Sequence, residues 1–350
     1  MHTIKHHMRN MIERILRRLP VSRAAYVQLS ILQTKIDFLE VALLDSGPSP
    51  ACAEQIRRSD EAAARDRPGA LKSCPAAFAF PVSLLTAPRF MDLRGGLLSM
   101  TEDCALGNAG DTLLLPFDEV MFPLIMKNKG WSLETLAFLA ERINPAQTYL
   151  ALDIGANIGL FTRQAALRFK NITHFFCVEA EPGNFRNLQY NVYGLLGDRS
   201  TLFNVALSRM DGEMEFFRDG DNFGNYSLNR DAMRGHAFDS IIIQTVETNH
   251  WMREHIRLNV DDRLIWKSDT QGYDEVIISL TPLDIWNKVD MAIVELWRIN
   301  KPDFDRAEFC LRLEAFPNKT LGIDNRCTSS DILEYLQGDD YAHTDLYLWR

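Results

Sequence analysis

The second half of the chain alternates short apolar runs with segments in which apolar residues recur every three to four positions. The runs are typical of strands buried on both faces, and the intervening segments are typical of amphipathic helices. The main predicted strands cover residues 149–154, 173–178, 202–206, 263–268 and 289–296, and the main predicted helices cover residues 160–169, 184–193 and 273–280. Strands that alternate with helices predict a mostly parallel, doubly wound α/β sheet, which is a Rossmann-like fold.

Two helical patterns precede this α/β region. Residues 1–23 join an apolar helical face to a clear excess of basic side chains. This pattern fits either a helix on an anionic membrane surface or, more commonly, a helix that docks on its own protein. Between Ala25 and Leu43 apolar residues alternate by four and three, which is a heptad seam about three repeats long. The seam either pairs with a second copy to form a homodimer or packs within the chain.

The same patterns divide the chain into three parts. Residues 1–46 form a helical extension that ends in a Ser- and Pro-containing linker. Residues 47–125 are an accessory region of irregular composition, for which the sequence predicts no role. Residues 126–350 form the α/β domain. Within it, Ser132 is the expected N-cap of a helix, and the polar, glycine-containing loop 219–227 either connects strands or gates a substrate.

A glycine bend follows the first strand of the α/β domain. Gly155 and Gly159 have no Cβ, so the chain can turn sharply there and a ligand can approach the main chain. A dinucleotide fingerprint has glycine where this bend has Asn157 and Leu160, so a diphosphate is disfavoured. S-adenosylmethionine carries no phosphate and needs only the close approach.

Acidic and amide residues near the bend complete a predicted cofactor site. Glu179 ends the next strand, where a carboxylate can hold ribose hydroxyls, and Glu181 is its nearby competitor. Asn157, Gly155 and Gly159 are expected to contact the cofactor. Asp153 either holds the cofactor's ammonium group or accepts hydrogen bonds from the amides of the bend.

The strand at residues 263–268 delivers a second set of polar groups to the same edge of the sheet. Lys267 and Asp269 share one face of this strand. A carboxylate there can take the proton of a hydroxyl during group transfer, so Asp269 is the candidate base. Lys267 either tunes Asp269 or holds an acidic substrate. Glu295, at the end of the next strand, either pairs with Arg298 or joins Asp269 on a divalent cation, although no residue is assigned to a metal.

The segment from Trp131 to Trp297 resembles the FkbM-type family of S-adenosylmethionine-dependent methyltransferases. The resemblance rests on four segments in the family's order and spacing: DIGANIGLFT (153–162), VEAEPGNFRNLQYN (178–191), FNVALS (203–208) and KSDTQGYDEVI (267–277). It implies O-methylation of a small molecule or a sugar. It also implies that Asn204 approaches the adenine and that Glu134 faces the cofactor's methionine end, although a favourable interaction with the helix dipole explains Glu134 equally well. Gln271 stands where the family more often has Glu, which puts a carboxylate role at that site in doubt.

Composition narrows the class of protein further. The net charge of −9 gives no support to nucleic-acid binding. None of the six cysteines lies in a C-x-x-C pair, so neither a disulfide framework nor a zinc site is expected. The sequence has no apolar run of membrane-spanning length and no secretory signal, so a cytoplasmic location is expected.

These observations support one hypothesis over two alternatives. The preferred hypothesis is a methyltransferase that uses S-adenosylmethionine and acts on an oxygen nucleophile of a small molecule or glycan. The first alternative is an interaction protein whose catalytic domain has lapsed, since Ser268 and Gln271 depart from the family pattern. The second is a nicotinamide-dependent oxidoreductase of the same fold, which Asn157 and Leu160 disfavour.

Overall fold

The computed structural model describes residues 95–100 and 103–350, all within one compact unit. The predicted basic helix and the heptad seam lie outside the described residues, as does most of the accessory region. Within the described ranges no helix is long and apolar enough to cross a membrane.

The described chain contains helices and strands in alternation. The helices are α1 Met121–Asn128, α2 Leu133–Arg142, α3 Leu160–Arg168, α4 Pro182–Leu188, α5 Gly194–Leu196, α6 Thr248–His255, α7 Asp274–Leu280, α8 Leu283–Trp286, α9 Arg306–Glu314 and α10 Ser329–Tyr335. The strands are β1 Gly95–Ser99, β2 Thr112–Pro116, β3 Tyr149–Ile154, β4 Ile172–Val178, β5 Ser200–Phe203, β6 Ala206–Ser208, β7 Gly212–Asp219, β8 Tyr226–Ser227, β9 Phe238–Glu247, β10 Arg263–Ser268, β11 Val289–Arg298, β12 Asn318–Leu321, β13 Asn325–Arg326 and β14 Ala342–Trp349.

An eight-stranded sheet forms the centre of the fold. Its order is β13-β12-β14-β11-β10-β3-β4-β5, and the five strands from β11 to β5 run parallel to one another. β14 is antiparallel to both of its neighbours, β11 and β12. This architecture confirms the predicted mostly parallel, Rossmann-like α/β fold.

Both faces of the central sheet are covered, which explains the continuous apolar runs of its strands. Leu152 and Trp266 belong to the hydrophobic cluster on one face, and Ala151 and Ile265 belong to the cluster on the other. Neighbouring side chains of one strand therefore pack into the hydrophobic clusters on opposite faces of the sheet, because strand side chains alternate.

One predicted strand is divided between two sheets. The apolar run at residues 202–206 was expected to be a single strand, but β5 ends at Phe203 in the central sheet and β6 begins at Ala206 in a four-stranded sheet. Asn204 lies at the break, where its side-chain amide donates to the carbonyl oxygens of Glu179 and Ala180. The second sheet has the order β6-β9-β7-β8, and a separate pair is formed by β1 and β2.

The segment before α1 is fastened to the α/β domain by buried polar side chains. Asn191 is fully buried and exchanges two hydrogen bonds with the backbone of Leu114. Arg163, also buried, donates to the carbonyl oxygens of Leu106 and Asn191. These contacts hold residues 106–114 against α3 and the turn that follows α4.

Candidate functional site

A cavity of about 750 Å³ opens at the carboxyl ends of the parallel strands. β3 and β10 are neighbours in the sheet, but β3 leads by α3 to β4 on one side, whereas β10 leads by α7 and α8 to β11 on the other. This reversal is a topological switch point, where open α/β sheets bind their ligands. The turns after β3 and β10, residues 155–159 and 269–273, both contribute to the cavity wall.

The two glycines of the first turn make room for neighbouring parts of the protein. Gly155 has a φ of +69°, and a Cβ at this position would overlap the carbonyl oxygen of Asp269. Gly159 has a φ of +86°, and a Cβ there would lie 2.5 Å from Val192 Cγ2 and 2.8 Å from Leu188 Cδ1. The missing side chains let the end of β10 and residues 188–192 close onto the turn, and the contact of Gly155 and Gly159 with a cofactor stays a prediction.

Every backbone N–H of the turn already has a protein acceptor. The amides of Gly155 and Ala156 both donate to the Val178 carbonyl, and the amide of Gly159 donates to the Ala156 carbonyl. The amide of Asn157 donates to the Glu179 carboxylate at 2.7 Å, and that of Ile158 donates to Asn157 Oδ1 at 2.7 Å. Phosphate-binding turns work by pointing unsatisfied N–H groups at the anion, so this turn is not built to hold a diphosphate.

Glu179 lies in the cavity wall with only 5% of its surface exposed. Its two oxygens accept hydrogen bonds from the Asn157 and Glu181 amides. A carboxylate offers about four acceptor positions, so two remain for a ligand. Burial is the main reason that the pKa of Glu179 rises to about 7, although both amides oppose the shift. Glu181 instead caps α4 through the Asn184 amide and pairs with Arg218 at 3.2 Å.

The side chain of Asn157 connects two loops. Its φ of +51° places the residue in the left-handed region, and its Nδ2 donates to the Phe223 carbonyl oxygen at 2.8 Å. Asn184 Nδ2 donates to the same oxygen, and the Phe223 amide donates to Asp118. Loop 219–227, predicted as a connection or a gate, is thus fastened over the glycine turn. Asn204 is not among the described residues that line the cavity.

Lys267 is the cation beneath the glycine turn. Its Nζ donates to the Gly155 carbonyl at 3.2 Å and lies 3.5 Å from Asp153 Oδ1 and 3.6 Å from Asp269 Oδ2. Burial alone would lower the pKa of Lys267, but Asp269 and Asp153 raise it above the usual value. The contact with the Gly155 carbonyl is a hydrogen bond, and the two carboxylates attract the Lys267 ammonium group as ion pairs.

Asp153 is the buried partner of this lysine. Its side chain is completely enclosed, and its Oδ2 accepts a hydrogen bond from Thr162 at 2.7 Å. Burial raises the pKa of Asp153, and Lys267 opposes that rise. The structure shows neither predicted role, because Asp153 does not line the cavity and the amides of the turn donate to other acceptors. Its carboxylate instead joins β3, α3 and β10.

Gln271 connects the two carboxylates at the ends of β10 and β11. Its Nε2 donates to Asp269 Oδ1 and, at 2.7 Å, to Glu295 Oε2. A side-chain amide has two N–H groups, so it serves both oxygens without adding charge, whereas a Glu would place a third carboxylate between them. The predicted pair between Glu295 and Arg298 is wrong. Arg298 contacts Asp340 at 2.9 Å, while Glu295 accepts from the Trp297 indole at 2.6 Å.

Glu295 is the more deeply buried of these two carboxyl groups. Burial and then the nearby Asp269 raise its pKa well above the usual range. His343 Nδ1 lies 3.1 Å from Glu295 Oε1, and its ring stacks on Trp297 with 4.7 Å between ring centres. Asp269 is more accessible, with 32% of its side chain exposed. The described residues contain no group of three His, Cys, Asp or Glu side chains arranged to hold a metal ion.

The first turn of α2 supplies a further wall of the cavity. Glu134 lines it, as do Trp131 and Ser132. Ser132 precedes α2 as predicted, but its φ of +43° turns it away from capping geometry and its side chain makes no cap hydrogen bond. The backbone of Trp131 is held instead by Gln164, whose side-chain amide both accepts from and donates to it.

The cavity is acidic. The described residues that line it include five carboxyl side chains, Glu134, Glu179, Asp269, Glu295 and Asp345, and one lysine, Lys267. Asp345 has its pKa raised to about 6, mainly by burial and then by Asp269. Since Lys267 is already surrounded by Asp153 and Asp269, the wall presents a surface that favours a positively charged ligand.

Sequence reasoning identified neither His236 nor His343, the two histidines among the described residues of the wall. His236 lines the cavity, and its Nδ1 lies 2.9 Å from Oδ2 of Asp219. His236 belongs to the chain between β8 and β9, and Asp219 ends β7, so only the folded second sheet brings the two together. An isolated histidine in a polar connecting segment carries no periodic signal that would reveal this pairing.

Comparison with known proteins gives only remote likenesses. No model of a known protein family matches the sequence, and no curated protein matches it. Among solved structures, the FkbM methyltransferase of Methylobacillus flagellatus KT is similar at 14% identity over 59% of this chain, with a TM-score of 0.34. This chain spans 44% of that structure, which is less than half its length.

Two further structures are similar to the same degree. A precorrin-6y C5,15-methyltransferase of Geobacter metallireducens GS-15 matches at 11% identity, covering 62% of this chain and 88% of its own, with a TM-score of 0.29. The human methyltransferase 10 domain containing protein matches at 12% identity, covering 62% and 79% of the two chains, with a TM-score of 0.32. Such identities and scores do not assign an activity to this chain, so a function must be argued from the site.

Proposed function

We propose that this protein is an S-adenosylmethionine-dependent methyltransferase. The observation that carries the proposal is the pairing of an acidic cavity with a glycine turn whose amides are all satisfied. The turn offers no donors to a diphosphate, and the carboxylates around it would repel one. A nucleoside with a cationic sulfonium and an ammonium group suits the same surface. The dinucleotide alternative is disfavoured for these reasons.

The residues of the wall fit such a cofactor in two places. Glu179 keeps two acceptor positions and lies at the end of β4, where a carboxylate can accept hydrogen bonds from ribose hydroxyls. Glu134 and Asp269 supply negative charge for the cationic end. When bound, S-adenosylmethionine supplies an activated methyl group. The protein then has to align the acceptor and remove its proton.

Asp269 is placed with the cofactor in this proposal. The sequence predicts it as the base, but Oδ1 accepts from Gln271 and Oδ2 lies 3.6 Å from Lys267. A carboxylate whose two oxygens already face donors is a poor proton acceptor, but its negative charge can still attract a cation. We propose that Lys267 fixes Asp269 in that orientation. The sequence resemblance to the FkbM-type family supports an oxygen atom of a small molecule or sugar as the methyl acceptor.

Transfer of a tritiated methyl group tests the proposal. The full-length protein is incubated with labelled S-adenosylmethionine and the low-molecular-mass fraction of a cell extract, and labelled products are counted after chromatography. The wild-type protein is expected to form a labelled product. Asp269→Asn is expected to weaken the binding of S-adenosylhomocysteine about 10- to 100-fold, which is the worth of one charge-assisted contact.

The matched control is Asp284→Asn, because Asp284 is an exposed aspartate that pairs with Arg253 and does not line the cavity. This variant should bind and react like the wild type. A wild-type protein that yields no labelled product, with Asp269 dispensable for ligand binding, would contradict the proposal. That result would favour the interaction protein with a lapsed catalytic domain.

A further inference from the structure

His236 and Asp219 form a side-chain pair at the wall of the cavity. The distance from Nδ1 to Oδ2 is 2.9 Å, the Asp219 side chain is 0% exposed and the His236 side chain is 39% exposed. The inner member is therefore shielded while the outer member remains reachable from the cavity that it lines.

Hydrogen bonds to Asp219 determine which nitrogen of His236 carries the proton. Oδ1 accepts from the amides of Asp221 at 2.9 Å and Asn222 at 3.3 Å. Oδ2 accepts from Asn225 Nδ2 at 2.9 Å and faces His236 Nδ1. Three donors occupy three acceptor positions of the Asp219 carboxylate, and a carboxylate can only accept at the fourth, which faces Nδ1. Nδ1 must then be the donor, so the neutral ring keeps its lone pair on Nε2.

The surroundings hold the ring without occupying Nε2. The structure shows no hydrogen bond to Nε2 from the described residues. The ring packs against Tyr341, 6.1 Å away between ring centres, and the Tyr341 hydroxyl donates to the Ala232 carbonyl at 2.6 Å. The charged and titratable groups near His236 are Asp219, Tyr341, Arg230 and the cluster in which Arg234 contacts Asp231 and Asp339.

His236 lies in the same wall as the reacting end of the site. Tyr341 packs edge-on against Trp297 at 5.3 Å, and the Trp297 indole donates to Glu295. Glu295 is joined through Gln271 to Asp269. This sequence of contacts runs from the glycine turn to His236. Asp269 and the His236 ring thus line one cavity and are joined by these contacts, so an acceptor can lie against the ring while the cofactor lies against Asp269.

We propose that His236, oriented by Asp219, is the general base for the methyl acceptor, a molecule that presents a hydroxyl group. This role rests on the proposed function. The O–H bond of the acceptor breaks and its proton passes to Nε2. The electron pair left on oxygen forms the new bond to the methyl carbon as the carbon–sulfur bond breaks, and that bond's pair goes to sulfur. The resulting imidazolium is stabilised by Asp219 and returns its proton to water.

Two variants separate the catalytic residue from its positioning residue. His236→Gln removes the base and keeps a polar side chain, and Asp219→Asn removes the acceptor that fixes the tautomer. The control is His250→Gln, since His250 is exposed on α6 and does not line the cavity. Each variant is titrated with S-adenosylhomocysteine by calorimetry and assayed for tritiated methyl transfer between pH 5.5 and 9.

His236→Gln should bind S-adenosylhomocysteine within about threefold of the wild type but lose roughly 10²- to 10⁴-fold in transfer, the usual contribution of a general base. At saturating S-adenosylmethionine, the decline in rate at low pH should disappear in the residual activity of this variant. In a further variant, His236→Ala, added imidazole should restore part of the activity. In protein labelled with ¹⁵N-histidine, His236 should show the proton on Nδ1, and Asp219→Asn should shift it towards Nε2.

The outcomes distinguish two failures. If the wild type does not bind S-adenosylhomocysteine, the proposed function fails and this role fails with it. If binding is intact and His236→Gln transfers methyl groups at the wild-type rate with an unchanged pH profile, only the role of His236 is overturned. A wild-type spectrum with the proton on Nε2 would also overturn it.

Discussion

At the residue scale, the site is organised by buried carboxyl groups with different partners. Asp153 and Asp269 face Lys267, Glu295 shares the Gln271 amide, and Glu179 accepts backbone amides. Burial raises the pKa of Glu179 to about 7, so this residue changes charge near neutrality. The two aspartates face a cation and Glu295 shares an amide donor with Asp269, whereas Glu179 keeps two acceptor positions for a ligand. Glu179 is therefore the carboxylate whose ionisation is most directly linked to ligand binding.

The affinity for S-adenosylhomocysteine should depend on the charge of Glu179. Below pH 7 the carboxyl group is mostly protonated and is a weaker acceptor for ribose hydroxyls, whereas above pH 7 it is ionised. Affinity should rise by up to about tenfold from pH 6 to pH 8, following the ionised fraction, and level off above that. Calorimetric titrations at several pH values measure this. Glu179→Gln should remove the rise, and an identical rise in that variant would assign it to another group.

Single residues of the site differ in how far sequence could predict them. Glu179 and Asp269 were found because each follows a recognisable apolar strand. The role of Asn157 was predicted as cofactor contact and stays a prediction, yet its side chain is engaged by Phe223, which is 66 positions away. The Asn204 contact with adenine also stays a prediction, although its amide is engaged by the backbone after β4. Such partners depend on loops whose path no local pattern specifies.

At the element scale, the turn after β3 and the end of β10 are packed directly against each other. The Asp269 amide donates to the Ile154 carbonyl, and Gly155 leaves space for the Asp269 carbonyl. The two motifs predicted separately from sequence are thus one structural unit. Apolar periodicity predicted the strands of this unit well, because a strand covered on both faces must be apolar throughout. It could not show that the run at residues 202–206 is shared by two sheets.

Gly155→Ala should destabilise this unit strongly. The new Cβ would meet the Asp269 backbone, which cannot rotate away, and it would also occupy a left-handed conformation. We expect a loss of about 3 kcal/mol or more in the free energy of unfolding by urea. Gly110→Ala is the control. Gly110 also has a positive φ, +91°, but a Cβ at this position would have no atom of a residue beyond its chain neighbours within 4 Å. It should lose only about 1–2 kcal/mol, and equal losses would contradict the packing argument.

At the scale of the whole molecule, a Rossmann-like sheet carries a second, mainly antiparallel sheet that completes the cavity wall. The central sheet provides Glu179, Lys267 and Asp269, and the second sheet, with its connecting loops, brings Asp219 and His236. The homodimer and the membrane contact remain predictions, since the heptad seam and the basic helix lie outside the described residues. The sequence motifs lie in the central sheet, so they located the cofactor site. They missed the proposed base because it belongs to the second sheet and its loops.

The central claim is that the cavity accepts an S-adenosyl nucleoside and not a dinucleotide. Calorimetric titration of the full-length protein with S-adenosylhomocysteine, and separately with NAD, tests it most directly. We expect saturable binding of S-adenosylhomocysteine that Glu179→Ala weakens at least tenfold, and no heat of binding with NAD. Tight binding of NAD without binding of S-adenosylhomocysteine would contradict the account.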